Sequence, residues 1–264
     1  MLAVSMGASW GWTSGTILGL FAVAVVVLGA WGWWELHTKA PLVDLRTTAR
    51  PQVLLTNIAS LFAGMGMYAT MLVTPQILML PTSTGFGLGQ TLLATGLFML
   101  PGGVIQVFLA PLGRKLIDSR GPKFTLILGA IVCAGYICVL FLMGAAPGLM
   151  VADMVIKAGV GISYGAMPAL IMGNVPRSET SAANSFNSVM RSLGSSIGAA
   201  IIGVANAQTA ISSSGHDLMS EGGARVGLAI GCGVGLVAAI VASFLTGKKR
   251  RNAVEKDALD AVNA

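Results

Sequence analysis

Charge is what this chain has least of. Only 10% of its 264 residues are Asp, Glu, Lys or Arg, against roughly 25% in an average soluble domain, so an ordinary hydrated surface is excluded. Aromatic residues are scarce too, at 6%. Three cysteines, Cys133, Cys138 and Cys232, sit inside apolar runs with no paired spacing near a His or Asp, which argues against a disulfide framework or a metal site. The first basic residue is Lys39, so the opening lacks the positive leading region of a secretory signal. No Gly-x-x-x-x-Gly-Lys-Ser/Thr loop is present to cradle a nucleotide. His37 and His216 stand alone, and no Ser-His-Asp, His-Glu or Cys-His arrangement suggests an enzyme. No cofactor is expected.

What is abundant is apolar mass: 55% of the residues are hydrophobic and the mean hydropathy is +0.80. A hydrocarbon core of roughly 30 Å needs about 20 helical residues to cross it. Seven stretches qualify, at 16–34, 54–80, 91–113, 124–145, 149–172, 185–206 and 226–246. Their length and lack of two-residue alternation exclude spanning strands, and Pro, Gly, Ser and charge gather between them. The expected fold is an all-α membrane protein.

The net charge of +6 is distributed as membrane topology requires, which makes nucleic acid an unneeded partner. If the segment after the first span is cytoplasmic, that side holds Lys39, Arg46, Arg50, Arg114, Lys115, Arg120, Lys123, Arg177, Lys248, Lys249, Arg250, Arg251 and Lys256. The other side holds Arg225 alone, and Lys157 and Arg191 lie within spans. Thirteen against one predicts a cytoplasmic C-terminus, with the chain's first residues outside.

Asp153 and Lys157, four residues apart, share a helical face that Gly161, Tyr164 and Pro168 extend. They are either a neutralised pair near the outer boundary or a proton- or substrate-responsive pair. Arg191, with Asn187 a turn below and Gly194 and Gly198 above, either snorkels toward the cytoplasm or makes a contact inside the bundle. Gly194 and Gly198, and Gly227, Gly231 and Gly235, form small-residue faces for close helix packing. Pro75, Pro168 and Pro101 with Gly102-Gly103 would loosen their helices.

The segment after the third span runs Gly113-Arg114-Lys115-Leu116-Ile117-Asp118-Ser119-Arg120-Gly121-Pro122-Lys123. As a basic loop it serves topology. Its lone Asp118 can also cap a helix or pair with an arginine. With Pro75-Gln76-Ile77-Leu78, Gly96 to Gly103, Ala110 to Arg114, and Asn187 with Arg191 to Ala200, this segment resembles the C-terminal half of major facilitator superfamily transporters. Trp10-Gly11-Trp12, Glu35 and Pro41 to Arg46 resemble the linker region of the fourteen-span drug:proton antiporter branch.

The resemblance implies a stub at 1–15 like the end of a preceding span, a linker transmembrane helix and cytoplasmic loop at 16–50, a six-helix transporter bundle at 51–247, and a basic then polar cytoplasmic tail at 248–264. It implies an efflux protein of the cell membrane that exchanges a small amphipathic or hydrophobic substrate, greasy cations among them, for protons. Gln76, Asp153, Lys157 and Arg191 are then candidates for the substrate or proton pathway, and Gly113, Arg114, Asp118, Arg120 and Gly121 for the gating loop. Membrane lipid and an N-terminal half supplied separately are the implied partners. A non-transporting subunit or an inactive truncated remnant is the alternative.

Overall fold

The computed structural model describes residues 6, 10–11, 13–38, 49–133, 135, 144–176, 179–209, 211–213 and 216–245. Among these residues seven α-helices follow in order: α1 (Gly15–His37), α2 (Pro51–Met79), α3 (Leu92–Arg120), α4 (Pro122–Cys133), α5 (Ala146–Met172), α6 (Thr180–Thr209) and α7 (Glu221–Ser243). Short polar residues start them. The side chains of Ser14, Thr91 and Ser220 accept from the backbone N–H groups of Ile17, Ala94 and Gly223 at 3.3, 3.2 and 2.9 Å, satisfying first-turn donors that have no partner within the helix. Pro51 and Pro122 open α2 and α4, where a missing N–H loses nothing.

Among the described residues, six helices are long and apolar enough to span a membrane: α1, α2, α3, α5, α6 and α7. The fourth expected span is helical over Pro122–Cys133, and most of its remainder lies outside the described residues. The ends differ from expectation. The third helix does not stop at Gly113 but continues through Arg120, because nothing in Arg114 to Arg120 breaks a helix. Only Gly121, at φ +88°, turns the chain, a backbone conformation that favours glycine. The sixth helix begins at Thr180, earlier than 185, since its polar first turns are helical but less apolar. A small antiparallel ribbon, β1 (Ile211–Ser213) with β2 (His216–Leu218), lies between α6 and α7, in a polar connection rather than an apolar run.

Helix α2 packs on α6, α7 and α5, and α5 packs in turn on α3, α4 and α2. Apolar surface gives helices little reason to associate in lipid, so close approach and polar contacts hold them. Leu61 opposes Gly194 and Met65 opposes Gly198, so α2 and α6 run parallel. A Cβ on Gly64 or Gly194 would overlap the carbonyl oxygen of Arg191 or Leu61, respectively. Gly102 opposes Asp153 and Gln106 opposes Gly161, so α3 and α5 run parallel as well. The two pairs are antiparallel to each other, with Ser60 against Met167 and Met67 against Tyr164. Gly227, Gly231 and Gly235 are buried on α7; Gly227 lies against Val73, and Gly231 near Gly66.

Helix α1 stands largely apart: along it only Ile17 and Glu35 are buried. Trp33 and Trp34 are 64% and 66% exposed, suiting the membrane–water boundary that tryptophan favours. Helix α3 turns Leu93, Leu97, Leu100, Val107 and Phe108 outward, an apolar face fit for lipid or for further helices.

Candidate functional site

The sequence placed Asp153 and Lys157 one turn apart, and they form an ion pair, Nζ to Oδ2 at 3.2 Å. Asp153 is 1% exposed and Lys157 25%. Its surroundings come from α3. A Cβ on Gly102 would overlap Asp153 Oδ2 and lie 3.0 Å from the Lys157 side chain. Gly102 therefore leaves a notch for the carboxylate, a role distinct from the loosening expected of Pro101-Gly102-Gly103. Asp153 Oδ1 has no hydrogen-bond partner among the described residues. Asp153 lies about two turns along α5.

The face expected to run from Asp153 to Tyr164 divides. Gly161 continues it toward α3, where a Cβ would lie 2.8 Å from the Gln106 carbonyl oxygen. Tyr164 turns instead to α2 and α6: its hydroxyl donates to Met67 Sδ at 2.8 Å, and the Arg191 guanidinium lies over its ring at 4.7 Å. Arg191 Nη2 also donates to Ser188 Oγ at 3.3 Å. Arg191 is partly buried, its backbone carbonyl lies against Gly64 of α2, and its guanidinium reaches back to Ser188, one turn nearer the start of α6. A cation over an aromatic face is attracted by the ring quadrupole.

Below this lies a polar cluster that the sequence reading did not assemble. Asn187 Nδ2 donates to Asn57 Oδ1 at 2.9 Å and to Ser60 Oγ at 2.6 Å, with all three side chains at most 2% exposed. Ser60 in turn donates to the Thr56 carbonyl. Asn57 and Ser60, three apart within an apolar stretch, were the available signal. Gln76 sits apart, near the far end of α2, partly buried with its Oε1 unpartnered among the described residues. The structure does not bring it to Arg191.

In the Gly113–Gly121 segment, Gly113 is buried against Ile162 of α5, its Cβ position 3.3 Å from Ile162 Cα. Arg114, Asp118 and Arg120 are exposed on the last turns of α3. Arg120 lies over the Phe124 ring at 5.0 Å. Asp118 neither caps nor pairs among the described residues. Lys39, Arg46, Arg177, Trp12, Pro41 to Arg46, Cys138 and the 248–264 tail lie outside the described residues, as does most of the 1–15 stub.

Within the bundle, Phe62, Gly66, Ser163, Tyr164, Gly231 and Gly235 border a cavity of about 30 Å³, room for little more than a water molecule. A drug-sized ligand needs roughly 300 Å³ or more, so it does not fit this cavity. The side that carries Met67, Met71, Ser188, Ser192 and part of Arg191 is open.

Apolar helices with ionisable side chains held within them define a multi-pass membrane protein with polar groups among its spans, the build of a solute carrier. The chain belongs to the Major Facilitator Superfamily, whose sequence model matches residues 1–199. It is 31% identical over 176 residues to the lincomycin resistance protein LmrB of Listeria monocytogenes, covering 66% of this chain and 36% of that protein. It is 26% identical over 206 residues to the multidrug resistance protein Stp of Mycobacterium tuberculosis, covering 76% and 37%. With the multidrug transporter protein MdtP of Bacillus subtilis it shares 24% over 214 residues, covering 79% and 38%. The chain thus spans a little over a third of these relatives.

Proposed function

We propose that this chain is the C-terminal portion of a proton-coupled multidrug-type efflux protein of the cell membrane, with its C-terminus in the cytoplasm. Helices α2 to α7 form one wall of a central cavity, α1 is the preceding linker helix, and a separate N-terminal half forms the other wall. The substrate is a small amphipathic or hydrophobic molecule bound near the midplane and released as the halves rock.

One observation carries this reading: Asp153–Lys157 and Arg191–Tyr164 place ionisable chemistry within the spanning helices, and the Arg191 side, with Met67, Met71, Ser188 and Ser192, is open. Ionisable groups at that depth mark ion and substrate paths. The relatives' names, lincomycin resistance and multidrug resistance proteins, support a drug-type cargo.

The test is efflux in a drug-sensitive host lacking its own exporters. The chain is expressed alone, and together with a segment covering the N-terminal part of a matched relative. Efflux only from the pair, abolished by a protonophore, is the expected result. Efflux insensitive to the proton gradient would overturn the coupling. Stable assembly of the pair without any efflux would favour the non-transporting subunit or remnant.

A further inference from the structure

We infer that Arg191 and Tyr164 receive an anionic group on an otherwise apolar substrate; this rests on the reading of the open α2, α5 and α6 side as cavity wall. A guanidinium is a planar cation with five N–H donors and no acceptor. Among the described residues no carboxylate lies within ion-pair distance of Arg191, and its side chain meets only the Tyr164 ring and Ser188 Oγ. The other mid-bundle cation, Lys157, is already balanced by Asp153. The open side therefore carries one uncompensated positive charge.

Depth narrows the source of the missing anion. Arg191 lies near the middle of α6, and the Gly64 contact places it near the middle of α2 as well. At a rise of about 1.5 Å per residue, the Arg191 backbone lies roughly 9 Å inside the expected start of its span at 185, within the hydrocarbon core of roughly 30 Å. A membrane-buried cation without a partner is costly, and a carboxylate or sulfonate on the substrate removes that cost.

The geometry suits such a group. Tyr164 supports the flat face of the guanidinium and leaves N–H groups to form parallel bonds to a carboxylate. The Tyr164 hydroxyl, donating to Met67 Sδ, fixes the ring. Ser188 and Ser192 donate their hydroxyl protons to the Asn184 and Ser188 carbonyls, so Arg191 is the donor that remains for an anion. Met67 and Met71, 37% and 69% exposed, offer adaptable cover for an apolar body. A greasy cation would meet the same charge as repulsion.

The test uses the full chain in phosphatidylcholine nanodiscs, with binding followed by the fluorescence anisotropy of three probes sharing one apolar body: pyrenebutyrate, pyrenebutanol and pyrenebutyl-trimethylammonium. Pyrenebutyrate should bind at least tenfold more tightly than the other two. Arg191→Gln should abolish that preference and leave weak binding equal for all three. Arg191→Lys keeps the charge without the planar fork, so it should retain a few-fold preference and serves if the glutamine variant misfolds. Equal binding, cation preference, or a preference that survives Arg191→Gln overturns the inference while leaving the cavity reading intact. Binding of none of the probes overturns the inference, and the co-expression efflux test decides the cavity reading separately.

Discussion

Gly102 of α3 and Asp153 of α5 are so close that a single methyl group on the glycine would occupy the position of the carboxylate oxygen. The ion pair with Lys157 is local to α5, but its burial is made by α3. Two helices therefore share one polar group, and any change in their separation acts on it directly.

Gly102→Ala should lower stability by about 1–3 kcal/mol, the usual effect of overpacking a filled site. Gly103→Ala, with nothing within 4 Å of its Cβ position, should be neutral or slightly stabilising, since alanine favours helix by up to about 1 kcal/mol. Unfolding of the purified chain by SDS in mixed micelles compares the two. Equal effects would mean that the notch is not filled in solution.

Asp153→Asn strands the Lys157 ammonium, whereas Asp153→Asn with Lys157→Met strands nothing. Removing one partner of a buried pair costs roughly 3–5 kcal/mol. Lys157 is 25% exposed, so the lower end applies to the single change, and the double change should recover most of it. In an active carrier, a double variant that inserts normally but loses proton-driven efflux would assign the pair to coupling.

Gly64→Val or Gly194→Val should separate α2 from α6, because each new side chain meets a backbone carbonyl that cannot move aside. Losses above about 2 kcal/mol are expected, as for overpacking without relief. Gly203→Ala, with open space at its Cβ position, is the control on the same helix. Cysteine cross-linking between α2 and α6 gives an independent measure of their separation.

The charge distribution predicts that a reporter fused after Ala264 is cytoplasmic and that one inserted near Ser213 is external. A phosphatase and fluorescent-protein fusion pair reads each side directly. The opposite pattern would reverse the assigned direction of transport as well as the topology.

The sequence alone determined six of the spanning helices, the membrane class and the i,i+4 pairing of Asp153 with Lys157. Length, apolarity and four-residue spacing act within one helix and need no knowledge of its neighbours. It also located Gly194, Gly198, Gly227, Gly231 and Gly235, since small residues repeat visibly. Helix ends were less legible: α3 continues past Gly113 because charged residues form helix readily, and only the left-handed Gly121 stops it. Which residues from different helices meet was decided by the tertiary structure. Helix rotation and crossing bring Tyr164 under Arg191 and away from the Asp153 face, seat Asp153 in the Gly102 notch, close Asn57, Ser60 and Asn187 into one cluster, and leave Gln76 apart. A rotation of a few tens of degrees about any of these axes would leave the sequence pattern unchanged and remake every one of those contacts.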